Sequence, residues 1–363
     1  MTKNAYTIDD HALDFLERYL NNPAPVGYEA GGQRLWMDYL KPYVDQFITD
    51  SYGSAVGVIN PDADYKVVIE GHADEIGWMV NHITDNGMLY VIRNGGSDHQ
   101  IATSKRVSIH TDNGVVPGVF GWPAIHIRDS SQEKQPQTDN IFIDVGAHSA
   151  DEVAALGIHI GCPVTYPDPF ETLNDDKFVC RALDNRIGGF IIAEVARRFH
   201  ELETRPNFGL YIVNSVQEEV GLRGAAMIAE TITPDAAIVI DATHDTSTPM
   251  VEPTKAGSVK IGDGPVITHA PAVQNRLRDH IVDTAKQNGM TFQRNAKAPG
   301  SGTDTDSFAV SGRGVPSALI APPLRYMHTT VEMVQRSDVE QVIDLLYRSV
   351  AAIETGETFS YFE

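Results

Sequence analysis

Two histidines and five carboxylates stand at places where this chain passes out of a strand or into a helix. His72 and Asp74 follow Lys66-Val-Val-Ile-Glu70. Glu218-Glu219 follow Leu210-Tyr-Ile-Val213, and Asp241 follows Ile238-Val-Ile240. Asp184 precedes the helix expected from Gly188 to Phe199, and His328 follows the strand expected at Ser317-Ala-Leu-Ile-Ala321. In open α/β sheets, ligands collect beyond the carboxyl ends of the strands, so residues distant in sequence converge there. Imidazoles and carboxylates without a cysteine suit zinc or another first-row divalent ion.

Taken singly, each of these residues also has an ordinary structural explanation. His72 and Asp74 could form a polar pair in a loop. In extended chain, however, positions i and i+2 share a side, which lets Asp74 orient the imidazole. Asp184 alone reads as a helix N-cap. The adjacent Glu218 and Glu219 repel each other and require a counter-charge. Asp241 poses the same problem at the end of a buried run, and His328 alone would pass for a loop histidine. Their joint placement carries the argument. By contrast, Gly262-Asp-Gly264-Pro265 lacks the full glycine fingerprint of a phosphate loop and reads as a turn. Gly300-Ser-Gly302-Thr-Asp304 reads as a tight loop lining the cleft, and the histidines at 99, 110, 126, 148 and 159 show no ligand spacing.

The elements that must position these residues are legible as periodicity. Capping boxes are expected at Thr7–Asp10 and at Ser337 with Glu340, opening the first and last helices. Further helices are expected over Ala30–Tyr43 and Leu277–Gln287, and strands over Phe208–Val213, Ala236–Ile240 and Ser317–Ala321. From Trp78 to Phe170 the pattern changes to short runs of β-formers broken by turn signals such as Asp85-Asn-Gly87 and Asp112-Asn-Gly114. Ser130 to Asn140 reads as an exposed loop. Strand–helix alternation on both sides of this block predicts an α/β fold with a mainly parallel central sheet and an inserted small β domain. The expected division is 1–77 and 173–363 for the α/β domain and 78–172 for the insert.

Composition sets the outer bounds. The 363 residues are 42% hydrophobic, enough for a large core, and too long for one core to be expected. A formal net charge of −21 argues against nucleic acid or an anionic membrane as partner, since both require a basic surface. Cys162 and Cys180 make no metal or redox spacing and read as reduced, buried thiols. The polar N-terminus and the lack of any apolar run near 20 residues predict a soluble, cytoplasmic protein.

In order along the chain, Gly71-His-Ala-Asp-Glu-Ile-Gly77, Ala182-Leu-Asp-Asn-Arg186, Val216-Gln-Glu-Glu-Val-Gly-Leu-Arg-Gly-Ala225, Asp241, Gly302-Thr-Asp304 and His328 with Val331-Glu-Met333 form a set. It resembles the M42 family of metallo-aminopeptidases, which includes glutamyl and leucyl-type enzymes and the tetrahedral TET peptidases. The long glutamate motif is very specific, and the shorter ones gain force from their order. The resemblance spans nearly the whole chain. It implies a phosphorylase/hydrolase-like catalytic domain interrupted by a β domain used for assembly, and a homo-oligomer, a dodecamer or a dimer. It further implies two divalent ions, zinc first and cobalt or manganese as alternatives, and peptide substrates with a free N-terminus. By position, Asp184 would bridge both ions, His72 and Asp241 would complete one, and Glu219 and His328 the other. Asp74 would buttress His72, and Glu218 would be the general base. Asn185 departs from the two aspartates of many relatives, and His244 and Asp245 have no counterpart. Two other readings remain. A carboxypeptidase or deacylase with a similar bimetal site would need a cationic pocket for a substrate carboxylate. A non-catalytic scaffold would tolerate loss of a ligand or of Glu218, and all are present.

Overall fold

The structure, a computed structural model, describes residues 5–129, 131 and 134–362. Its centre is an eight-stranded sheet in the order Gln46–Thr49, Ala55–Ile59, Gly209–Ser215, Lys66–His72, Ala236–Ile240, Ser317–Ala321, Val266–His269, Gln293–Ala296. The four central strands, from Gly209–Ser215 to Ser317–Ala321, run parallel. Antiparallel pairing appears toward the edges. The reason is visible in the sequence. Val67-Val-Ile69, Leu210-Tyr-Ile-Val213 and Ala236-Ala-Ile-Val-Ile240 are continuous apolar runs, which suit strands covered on both faces. Alternate residues feed opposite cores. Val67, Ile69, Leu210, Ile212 and Ile238 pack under the helices Asp10–Asn21, Leu183–Glu201 and Arg336–Ala351. Val68, Tyr211, Val213 and Val239 pack under Arg223–Ile232 and Asp304–Val310.

The expected insert is a closed six-stranded barrel running from Gly77–Ile83 to Pro163–Thr165. It has its own apolar core around Trp78, Val80, Val107, Phe120, Ile143 and Val164. Both Asn-Gly turn signals join paired strands, Gly77–Ile83 to Leu89–Asn94 and Arg106–Thr111 to Gly114–Gly121. The expected loop at 130–140 is exposed or half-buried wherever described; residues 130, 132 and 133 lie outside the described residues.

Some expectations are corrected. The first helix is capped by Asp9, whose carboxylate accepts from Ala12 N, so Thr7 does not open a capping box. The last helix begins at Arg336 with Ser337 already inside it. Glu340 instead accepts from Ile8 N and Arg336, tying the two ends of the chain together. A second sheet of five short strands, Glu171–Leu173, Lys177–Cys180, Glu332–Gln335, Pro323–Arg325 and Thr243–His244, was not legible at all. Strands of two to four residues carry too little periodicity to detect, yet this sheet holds the segment that bears His328. Cys162 and Cys180 are buried free thiols. Among the described residues, no helix is long and apolar enough to cross a membrane.

Candidate metal centre

The strand Lys66–His72 delivers His72 to its own last position. Gly71 just before it allows the long helix to cross in contact, for a Cβ there would lie 2.8 Å from the carbonyl carbon of Gly188. That crossing brings Asp184 beside His72. Asp184 and Asn185 are not helical, and Asn185 is the residue that anchors this opening: its amide donates to Ile240 O at 2.6 Å while its carbonyl accepts from Gly188 N. An ionised aspartate at 185 could not make the first of these bonds. Because Ile240 is the last residue of its strand, the same bond fixes Asp184 against Asp241.

The expected residues converge. His72 Nε2 lies 3.6 Å from Asp184 Oδ1, 3.8 Å from Glu218 Oε2 and 3.9 Å from Asp241 Oδ1. On the other side, His328 Nε2 lies 3.4 Å from Asp184 Oδ2 and 3.2 Å from Glu219 Oε1. The two oxygens of Asp184 thus face different histidines. Asp74 sits behind, its Oδ1 3.3 Å from His72 Nδ1. It also does something the sequence did not indicate: its two oxygens accept from Glu218 N and Glu219 N at 3.0 and 3.1 Å. The glutamates occupy a 3₁₀ turn, Glu218–Val220, and this turn sends them to different histidines.

Electrostatics show how strained this acidic cluster is. Burial, then the negative charges of Asp241, Asp304 and Glu219, push Glu218 up to about 10 against the pull of His72. Burial and Asp184 push Asp241 well above its ordinary value. Burial opposes charge on the imidazoles too, yet Glu218, Asp184 and Asp74 hold His72 well above its usual range. For His328, Asp184 and Glu219 overcome burial and carry it to about 11. Asp184, set between the two imidazoles, is held below the usual carboxylate range although it is buried. Among the described residues, His72 and His328 are the only basic side chains within ion-pair reach of Glu218 and Glu219. A metal cation would supply positive charge here, and two donor groups could hold one: His72, Asp184 and Asp241, and Asp184, Glu219 and His328, the donor atoms of each lying within 4.8 Å of one another. A third group, His72, Glu218 and Glu219, overlaps both. The histidines at 99, 110, 126, 148 and 159 join no such group among the described residues.

Several supporting residues escaped the sequence reading. Glu332 was legible only as part of a motif. It is buried, and its oxygens accept from Asp184 N at 2.9 Å and His328 N at 2.7 Å, so one carboxylate aligns a residue from each side of the centre. Beneath His72, Ser215 Oγ lies between the buried carboxyls of Glu70 and Asp304, 2.7 and 2.8 Å away, and donates its one proton to either of them. The expected cleft loop at 300–304 ends in the buried carboxyl of Asp304. Asp245 is structural, accepting from Arg325 Nε at 3.0 Å and from Ile261 N. His244 stands beside the centre with its surface open to solvent, and partial desolvation of its ring, with the Lys297 charge, holds its imidazole below its ordinary value.

A layered α/β body presenting imidazoles and carboxylates at its strand ends has the donor set of a metal-dependent enzyme. Residues 53–345 match the profile of the M42 glutamyl aminopeptidase family, and the chain belongs to that family. It is an aminopeptidase, an enzyme that hydrolyses peptide bonds. Over 337 residues it is 32% identical to the lysyl aminopeptidase of Pyrococcus furiosus, covering 92% of this chain and 94% of that one. Its fold superposes on a TET aminopeptidase from Thaumarchaeota archaeon SCGC AB-539-E09 with a TM-score of 0.92 at 28% identity, covering 97% and 99% of the two chains. The TET1 peptidase of Pyrococcus horikoshii, which can assemble into a tetrahedron or a large octahedral shell, matches with a TM-score of 0.82 at 25% identity over 93% of this chain and 98% of that one.

Proposed function

We propose that the protein removes single residues from peptide N-termini at a centre of two divalent ions, zinc first, with Glu218 as general base. The observation that carries this reading is the division of Asp184, one oxygen toward His72 and the other toward His328. His72 and Asp241 would complete one cation position, Glu219 and His328 the other. When bound, the ions polarise the scissile carbonyl and acidify the attacking water. Glu218 belongs to neither of these two triads, so its carboxylate is free for proton transfer. It takes the proton of the attacking water and delivers it to the departing amine. Asp74 holds Glu218 in place by accepting from its backbone N–H, and its Oδ1 stands 3.3 Å behind His72 Nδ1, where it favours the orientation of that imidazole.

Restriction to the N-terminus requires the free α-amine of the substrate. An amino-acid anilide with a free amine is expected to be hydrolysed and its N-acetylated form to resist. Release of acetate from the acetylated form would instead support a deacylase, and cleavage only of peptides with a free C-terminal carboxylate a carboxypeptidase. The non-catalytic scaffold would be favoured by loss of a ligand or of Glu218, and the sequence keeps His72, Asp184, Glu218, Glu219, Asp241 and His328.

The division into 1–77 with 173–363 for catalysis and 78–172 for assembly is supported by the separate core of the barrel. Its surface carries the exposed apolar side chains Ile125 and Ile127, close in sequence at 70% and 79% exposure, which a partner subunit would cover. By its likeness to assembling relatives, the protein forms a homo-oligomer, a dodecamer built from dimers, that admits unfolded peptides. Light scattering at micromolar concentration is expected to give an oligomeric mass; a monomer throughout would overturn this. The buried free thiols fit the reducing cytoplasm.

A further inference from the structure

The barrel reaches into the metal centre. Its strand Leu89–Asn94 ends in a turn, Asn94-Gly-Gly-Ser97, that lies directly against two of the site side chains. A Cβ added to Gly96 would fall 2.6 Å from Nδ1 of His328 and 2.7 Å from its Cε1. A Cβ on Gly95 would fall 2.9 Å from Ile76 Cγ2 and 3.2 Å from Glu219 Cβ. Real Cβ atoms do not approach other heavy atoms within 3.0 Å. Any larger residue at 96 therefore has to displace the imidazole, because the turn itself is anchored. Asn94 Nδ2 donates to Val26 O at 2.9 Å, and the buried Ser97 donates through Oγ to Gly77 O at 2.5 Å. A second barrel contact grips the same histidine loop: Lys105 Nζ donates to Thr330 Oγ1 at 2.8 Å, two residues beyond His328.

We propose that the Gly95–Gly96 turn is a positioning element of the metal centre, seating His328 and Glu219 and thereby setting the affinity of the cation they share. The barrel then serves catalysis as well as association. The inference rests on the reading of His328 and Glu219 as ligands. Gly96 is the informative position. Gly95 has a φ of +83°, so a substitution there adds backbone strain, whereas at Gly96 only the contact with His328 changes.

The test is a zinc titration of the metal-stripped full-length protein by calorimetry, with bound zinc counted by elemental analysis. The wild type is expected to bind two ions and His328→Ala one. Gly96→Ala is expected to hold the ion of His72 and Asp241 with unchanged affinity and to bind the other about ten- to a hundredfold more weakly. Its circular dichroism and oligomeric mass are expected to match the wild type. Both ions bound by Gly96→Ala with wild-type affinities would overturn the proposal. Both ions retained by His328→Ala would overturn the ligand assignment itself and the proposal with it. If Gly96→Ala does not fold, Lys105→Met decides: it releases the loop at Thr330, and a several-fold loss confined to the same ion is expected, while unchanged binding overturns the idea.

Discussion

Glu218→Gln is expected to lower turnover by about two to four orders of magnitude while leaving metal content intact, a loss of about 3–5 kcal/mol of transition-state stabilisation. The substitution keeps shape and removes only the basic oxygen, and Glu218 contributes to neither of the triads that share Asp184. Its backbone N–H still reaches Asp74, so the turn is preserved. Glu219→Gln should behave differently. It weakens the group that faces His328 at 3.2 Å, so one ion is lost and excess metal partly restores activity. Elemental analysis and rates on both variants check the pair. Loss of an ion in Glu218→Gln with both retained in Glu219→Gln would reverse the roles, as the overlapping group of His72, Glu218 and Glu219 permits.

Removal of metal by a chelator is expected to abolish peptidase activity, with a divalent ion restoring it. Carbonyl polarisation and water acidification are worth several kcal/mol, so at least about a thousandfold in rate depends on the ions. Full activity in protein shown to be metal-free would defeat the assignment. Stripping should also make stability sensitive to pH, and the sign follows from the site. Without cations, Glu218 moves from an ordinary 4.5 up to about 10 and His328 from 6.5 up to about 11. A raised folded-state value means stabilisation that is complete below the unfolded value and lost as pH climbs toward the folded one. Both contributions therefore decline together from about pH 6.5 to about pH 10. Asp184 is lowered, so its contribution is already complete at neutral pH. The Tm of the stripped protein is expected to fall between about pH 7 and pH 9, and that of the metal-loaded protein to fall much less. Scanning calorimetry of both forms checks this, and parallel curves would contradict it.

The site was more legible than the frame around it. His72, Asp184, Glu218, Glu219, Asp241 and His328 could be named because each is a charged or ligating side chain interrupting an apolar or helical pattern, where burial demands a partner. The parallel strands were legible from their apolar runs, and the barrel from its turn signals. Glu332, Asn185 and the Gly95–Gly96 turn were not seen in these roles. Glu332 lies in a strand of four residues, Asn185 stands next to a more conspicuous aspartate, and Asn-Gly-Gly reads as any turn.

Sequence alone thus determined the α/β alternation and which ligating side chains the chain offers, because these depend on residue type and on periods of a few residues. Tertiary structure decided which oxygen of Asp184 faces which histidine, that Asp74 holds the glutamate turn, and that the barrel touches His328. These depend on distances between segments about 100 to 230 residues apart along the chain, which no local pattern encodes. The crossing of Gly71 against the helix of Gly188, the Glu332 bonds to Asp184 and His328, and the anchoring of the barrel turn on Val26 and Gly77 bring those segments together.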